Sequence, residues 1–257
     1  MTQLIKDLQQ RFKGQLRIAD PKPYDFKVHI SMCIHRVIQG SAVNSLYNLL
    51  SCQNPKIVCS SRQGDALIDR SRSIEATQYM KGSDADYLMF LDDDIAYDPV
   101  DVIRFLHRAH QANCDIAGAT YILKTDKNPV ITAKPFKGQT ISFGPDSDLV
   151  EVRYLATGFM LIKKRVLQEL VNGLPLCHPK TLAFYPFFQP FPKEIDGDMK
   201  YLSEDWAFCD RARDAGFKVW LDPAVRLKHT GSYTYELDDL SRPEKQHFDV
   251  INYTDPS

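Results

Sequence analysis

Apolar residues along this chain fall into short strand-like runs separated by segments with helical character. The runs at 26–33, 56–60, 87–91 and 115–123 read as strands, and the third, YLMFL, is apolar enough to be buried on both faces of a sheet. Residues 40–50 place Val43, Leu46, Tyr47 and Leu50 at i, i+3, i+4 and i+7, the stripe of an amphipathic helix. Residues 65–80 hold good helix formers but a poor stripe, with Gly82 as a stop. Asp98-Pro99 supplies a cap and a proline at the first helical position, after which Val102, Leu106 and Ala109 share one face. The order β-α-β-α-β-α-β predicts a largely parallel sheet with right-handed crossovers. Ahead of it, residues 1–20 read as a helical lead-in closed by Pro21-Lys22-Pro23.

The second half is more broken. Short strands with Gly and Pro between them are expected over 128–154, and a strand over 153–162 interrupted at Thr157-Gly158. A helix over 166–171 ends with Gly173 as its C′ residue. Residues 177–200, rich in Pro and aromatics, read as a long irregular stretch of the kind that works as a lid or binding loop. A helix over 204–215 is capped by Ser203, with Phe208, Ala212 and Ala215 inward and Gly216 at its end. Strands at 217–221 and 227–231 follow. The expected organisation is a lead-in over 1–24, one α/β domain over 25–235 and a tail over 236–257.

Composition narrows the class. Of 257 residues, 44% are hydrophobic and 25% charged, ordinary for a globular protein. The formal net charge of -1 supplies no field toward nucleic acid or anionic lipid, so no nucleic-acid partner is expected. The six cysteines form no CxxC pair and read as buried free thiols, with no zinc spacing. No stretch approaches a membrane span and no signal peptide is legible, which predicts a cytoplasmic address.

The most informative chemistry lies at 87–98, YLMFLDDDIAYD, where the buried strand stops at Asp92, Asp93 and Asp94. Open α/β sheets bind ligands at the C-terminal ends of their strands. Three carboxylates crowded there repel one another unless a cation sits between them, and a divalent metal is the usual answer. A turn or helix cap accounts for one aspartate, and Asp98 already serves as the cap, so the triplet points to a metal and phosphate site.

With this motif go Gly158 within a strand, the acidic pair of Ser203-Glu204-Asp205-Trp206 opening a helix, and a late histidine in Leu227-Lys228-His229-Thr230-Gly231. In that order and spacing, residues 26–231 resemble the GT-A class of nucleotide-sugar glycosyltransferases, particularly small family-2-like members with a DxD motif. The resemblance implies a single GT-A (Rossmann-like) α/β domain: a mostly parallel central sheet flanked by helices, with a smaller antiparallel portion in the second half. It implies Asp94 as a metal ligand, Asp92 near the ribose or a metal-bound water, and Asp93 on the donor sugar. His229 joins the metal set, and an imidazole suits Mn²⁺ better than Mg²⁺. Asp205 becomes the base that takes the acceptor's proton, with Glu204 orienting acceptor or backbone. Arg72, Gly158, Cys33 and Arg36 fall to donor binding.

The aromatic run at 184–191, with Tyr185 and Phe187, and also Trp206, suggest an acceptor platform or lid, since aromatic faces stack on sugar rings; anchoring of the loop in the core explains the run equally well. Acids in a first helical turn also offset the helix dipole, so Glu204 and Asp205 carry a structural reading too. The expected partners are a nucleoside diphosphate sugar, most commonly a UDP-sugar, and a hydroxyl acceptor, carbohydrate or other. An inverting reaction is favoured, with a retaining transferase or a non-catalytic carbohydrate- or nucleotide-binding module as alternatives. An aspartyl phosphatase is disfavoured because Ala96 stands where its motif needs Thr, and a pyrophosphorylase because residues 31–40 lack a glycine-rich basic loop. Donor sugar, linkage and oligomeric state are not legible.

Overall fold

A computed structural model describes residues 24–34, 36–52, 55–124, 129–178, 180–231, 234–241 and 251–254. The predicted lead-in helix lies outside these residues. The chain enters through strand β1 (Lys27–Ile34), helix α1 (Gly40–Leu50), strand β2 (Lys56–Gln63), helix α2 (Ile68–Gly82) and strand β3 (Tyr87–Leu91). After the aspartates come β4 (Ile95–Tyr97), α3 (Pro99–Gln111) and the short β5 (Ile116–Gly118), which takes only three residues of the strand expected over 115–123. Then follow β6 (Thr140–Phe143), β7 (Val150–Val152), β8 (Phe159–Lys163) and α4 (Lys164–Leu170). A hairpin of β9 (Phe191–Ile195) and β10 (Asp198–Leu202) leads into α5 (Glu204–Asp214). The chain continues through β11 (Val219–Leu221), β12 (Leu227–Thr230), β13 (Thr234–Tyr235) and β14 (Ile251–Thr254).

The central sheet has seven strands in the order β2-β1-β3-β8-β5-β11-β7. β2, β1 and β3 pair in parallel; β8 runs antiparallel between β3 and β5; β5 and β11 are again parallel, and β7 closes the far edge antiparallel. The sheet is thus mostly parallel, with five strands running one way, and the architecture is α/β of the GT-A-like kind. Alternate side chains of β3 feed different cores, as a pleated strand requires. Leu88 and Phe90 face the layer containing α2, α4 and α5, whereas Tyr87, Met89 and Leu91 face the layer of α1 and α3.

Several local expectations are corrected. On α1 the buried residues are Ala42, Ser45 and Leu49, while Val43, Tyr47 and Leu50 are exposed. The small face turns inward because Ser45 sits on β4: its hydroxyl donates to the Tyr97 carbonyl (2.9 Å) and accepts from the Tyr97 amide (3.1 Å). Cys59 is exposed because β2 is an edge strand, whereas Cys33, Cys114 and Cys209 are buried free thiols. Gly173 ends a 3-10 turn rather than adopting the left-handed C′ conformation. Ala215 is exposed, and Gly216 alone supplies the left-handed stop, at φ +89°. The irregular stretch at 177–200 ends in the β9–β10 hairpin, turned by Asp196 (φ 54°) and Gly197 (φ 80°), the positive pair that a two-residue type I′ turn needs. Residues 251–254, within the segment read as a tail, pair antiparallel with β6.

Candidate active site

Going from β1 to β2 the chain moves to one side of β1, and from β2 to β3 it returns to the other. That reversal opens a crevice at the strands' carboxyl ends, the usual ligand position in an open α/β sheet. Asp92, Asp93 and Asp94 leave β3 at this point, half-buried. The main chain holds them in place: the Asp92 amide donates to the Gly158 carbonyl (3.0 Å), and the Gln39 amide, just before α1, donates to the Asp93 carbonyl (2.8 Å).

Arg72 organises the cluster. It is 4% exposed on α2, and its guanidinium donates to Asp92 Oδ1 (2.8 Å) and Glu204 Oε1 (3.0 Å). Burial opposes the charge, but the two carboxylates outweigh it and keep the guanidinium protonated. The poor apolar stripe of α2 thereby finds its reason: the inward face carries polar side chains with partners. Ser73 Oγ accepts from the Phe188 amide (3.2 Å) and Thr77 Oγ1 from the Tyr185 amide (3.0 Å).

The acidic pair opens α5. Burial, and then the neighbouring Asp205 charge, raise the Glu204 carboxyl above its ordinary value despite Arg72. Asp205 Oδ1 accepts from its own helix's first turn, from the Ser203 hydroxyl and the Trp206 amide (2.8 Å). Ser203 therefore stands at the N-cap but gives its hydroxyl to Asp205 instead of accepting an amide. Both donors converge on Oδ1, so the other Asp205 oxygen carries no hydrogen bond among the described residues.

β12 pairs antiparallel with β4, placing His229 opposite Ile95 and next to Asp94. His229 Nδ1 lies 2.7 Å from the Ile122 carbonyl, an acceptor, so Nδ1 carries the proton and donates. Nε2 then faces Asp94 Oδ2 at 3.5 Å, and the Thr230 amide donates to the Asp94 carbonyl (2.8 Å). Burial alone would raise the Asp94 carboxyl, but His229 and Lys124 beside it hold it below the usual range. A carboxylate beside an imidazole whose far nitrogen is tied to a carbonyl is a donor set that suits a divalent transition metal. Among the described residues no three His, Cys, Asp or Glu gather around one point. Asp94 and His229 stand together there, while Asp92 accepts from Arg72 through Oδ1.

Gly158 is needed for packing against the cluster itself: a Cβ there would lie 2.4 Å from the Tyr121 hydroxyl and 2.6 Å from Asp92 Oδ2. Cys33 is buried under the site and its thiol is pushed up to about 11 by burial. Arg36 is exposed, and its carbonyl accepts from Gln63 Nε2 (3.4 Å). Phe187 is fully buried in the core and cannot face an acceptor; Tyr185 is half-buried beneath Lys81. Trp206 is half-buried and stacks on Tyr154, ring centroids 5.2 Å apart. The aromatic run anchors its loop, with Phe188 lying between Phe90 and Phe208. Tyr121, packed edge-on against the His229 ring, and Lys124, on Asp94, escaped the sequence reading. Their signal was faint: an apolar run, DIAGATYIL, that ends in a lysine.

No family model matches the sequence, and no curated protein matches it. Among solved structures the chain is similar to A197 from STIV at 16% identity and a TM-score of 0.50, over 80% of this chain and 86% of that one. It is also similar to GalNAc-T7, solved with UDP, GalNAc and Mn²⁺, at 10% identity and a TM-score of 0.51. That likeness covers 79% of this chain but 43% of GalNAc-T7, so the chain spans less than half of that protein's length. At these identities the likeness is one of fold, and the fold is glycosyltransferase-like. No described helix is long and apolar enough to cross a membrane.

Proposed function

We propose that the chain is a metal-dependent glycosyltransferase that moves a sugar from a nucleoside diphosphate, most simply UDP, to a hydroxyl acceptor with inversion. The observation that carries this reading is a buried arginine, Arg72, that draws Asp92 and Glu204, 112 positions apart, into one cluster beside the Asp94–His229 pair. GalNAc-T7, which shares the fold, was solved with UDP and Mn²⁺, and that supports the choice of donor and ion. A divalent ion held by Asp94 and His229 would offset the charge gathering on the departing diphosphate.

The chain's own groups supply the rest. Asp205, oriented through Oδ1 by Ser203 and the Trp206 amide, offers its other oxygen to the acceptor hydroxyl. The proton passes to that carboxylate as the acceptor oxygen bonds to the anomeric carbon. The bond from that carbon to the phosphate oxygen breaks, and its electron pair leaves with the nucleoside diphosphate. Glu204, held by Arg72, shapes the acceptor side without giving up its own position.

Turnover of a panel of nucleotide sugars with Mn²⁺ tests the reading, with Asp205→Asn as the decisive variant. The variant is expected to bind donor as wild type does and to lose about 10² to 10⁴ in transfer rate, the usual cost of a missing general base. Transfer at the wild-type rate would remove Asp205 from that role, and no turnover of any donor by wild type would favour a binding module.

A further inference from the structure

Lys124 is the one lysine or arginine in contact with Asp94 among the described residues, and its placement is built rather than incidental. It stands two residues past Ile122, which bridges to Ile131, and the Leu123 amide beside it donates to the Val130 carbonyl (2.9 Å). Its aliphatic stem runs across Gly231, just past β12; a Cβ at Gly231 would lie 3.1 Å from Lys124 Cδ. Thus a glycine makes room for the stem, and the anchored backbone aims the ammonium at the aspartate. The ammonium lands on Oδ2, the same Asp94 oxygen that faces His229 Nε2.

We infer that Lys124 is a tethered counterion that competes with a divalent cation for Asp94, so that ammonium and metal exclude each other at that oxygen. The inference rests on the metal-dependent reading above and goes beyond it, because it gives the site a built-in opponent of its own metal. An ammonium on a flexible four-carbon stem is suited to this part: it can leave for solvent or for an incoming anion at little cost. The lysine side chain is 35% exposed, so a path away from the carboxylate exists. Metal entry at Asp94 then releases a positive charge beside the place where a diphosphate would bind. Before metal arrives the Asp94–Lys124 pair is neutral; afterwards the ammonium is a mobile cation.

Direct titration of MnCl₂ into nucleotide-free protein, followed by calorimetry or by the electron paramagnetic resonance of free Mn²⁺, tests this without any turnover. Lys124→Met keeps the stem over Gly231 and removes the charge; it is expected to bind Mn²⁺ about two- to fivefold more tightly than wild type, the range a partly exposed ion pair commands. Lys124→Arg, which retains the charge, is expected to bind Mn²⁺ as weakly as wild type. Equal or weaker binding by Lys124→Met overturns the inference while leaving the metal-dependent reading in place. Absence of Mn²⁺ binding by wild type and Lys124→Met alike, with and without UDP, overturns both.

Discussion

Gly158 shows how little room the site has at the level of a single atom. The methyl of an alanine there would press on the Tyr121 hydroxyl at 2.4 Å and on Asp92 Oδ2 at 2.6 Å. Neither neighbour is free to give way: Tyr121 is buried against His229, and Asp92 is held by Arg72. Gly158→Ala is therefore expected to cost about 1–3 kcal/mol in stability, the range of an overpacked interior, and to weaken nucleotide binding by shifting Asp92. Urea denaturation paired with UDP titration checks this; an alanine variant with unchanged stability and affinity would show that the contact yields. At this scale the sequence was most readable where chemistry breaks a pattern. Three aspartates ending an apolar strand announced themselves, and so did an acidic pair at a helix start. Phe187 stayed open between two readings because aromatic composition is the same in a sugar platform and in a loop anchor; only its complete burial separates them.

Between elements, Arg108 ties α3 to the end of β11. It donates to Asp222 Oδ1 (3.0 Å), and Asp222 is fully buried with its second carboxylate oxygen unpartnered among the described residues. Burial raises the Asp222 carboxyl despite the pull of Arg108. Arg108→Met would leave that carboxylate without its cation and is expected to cost about 3 kcal/mol at neutral pH, as broken buried pairs do. The sign of the pH dependence follows from the shift. Both unfolded chains titrate alike, so the penalty is smallest below the raised wild-type folded value, where the acid is neutral in both proteins, and grows as pH rises, reaching its full size above the variant's still higher folded value. Thermal melts of both proteins across that range measure it; a penalty independent of pH would mean that Asp222 is not the group exposed by the change. Elements were legible in proportion to how local their causes are. β3 and α3, with its Asp98 cap on the Val100 amide, follow from adjacent residues. The inward face of α1 does not, because it is set by Ser45 meeting a strand about fifty residues away. The polar inward face of α2 was visible only as a missing stripe, since its partners, Asp92, Glu204 and the loop at 184–191, lie elsewhere in the chain.

At the scale of the whole molecule, sheet order assembles the candidate site. β8 enters antiparallel beside β3 and sets Phe159 opposite Leu91, which brings Gly158 against Asp92. β12 pairs with β4 and carries His229 to Asp94. Neither pairing could be read from the alternation of helices and strands, which predicts parallel neighbours and is silent about a later strand inserted between them. We expect this assembled corner to bind a divalent ion and a nucleoside diphosphate together. Calorimetric titration of UDP into wild type and Asp94→Ala, each with and without MnCl₂, tests it most directly. Wild type is expected to bind UDP only with Mn²⁺, and Asp94→Ala, still folded by circular dichroism, to lose that binding. UDP binding of equal strength in all four titrations, or none in any, would contradict it.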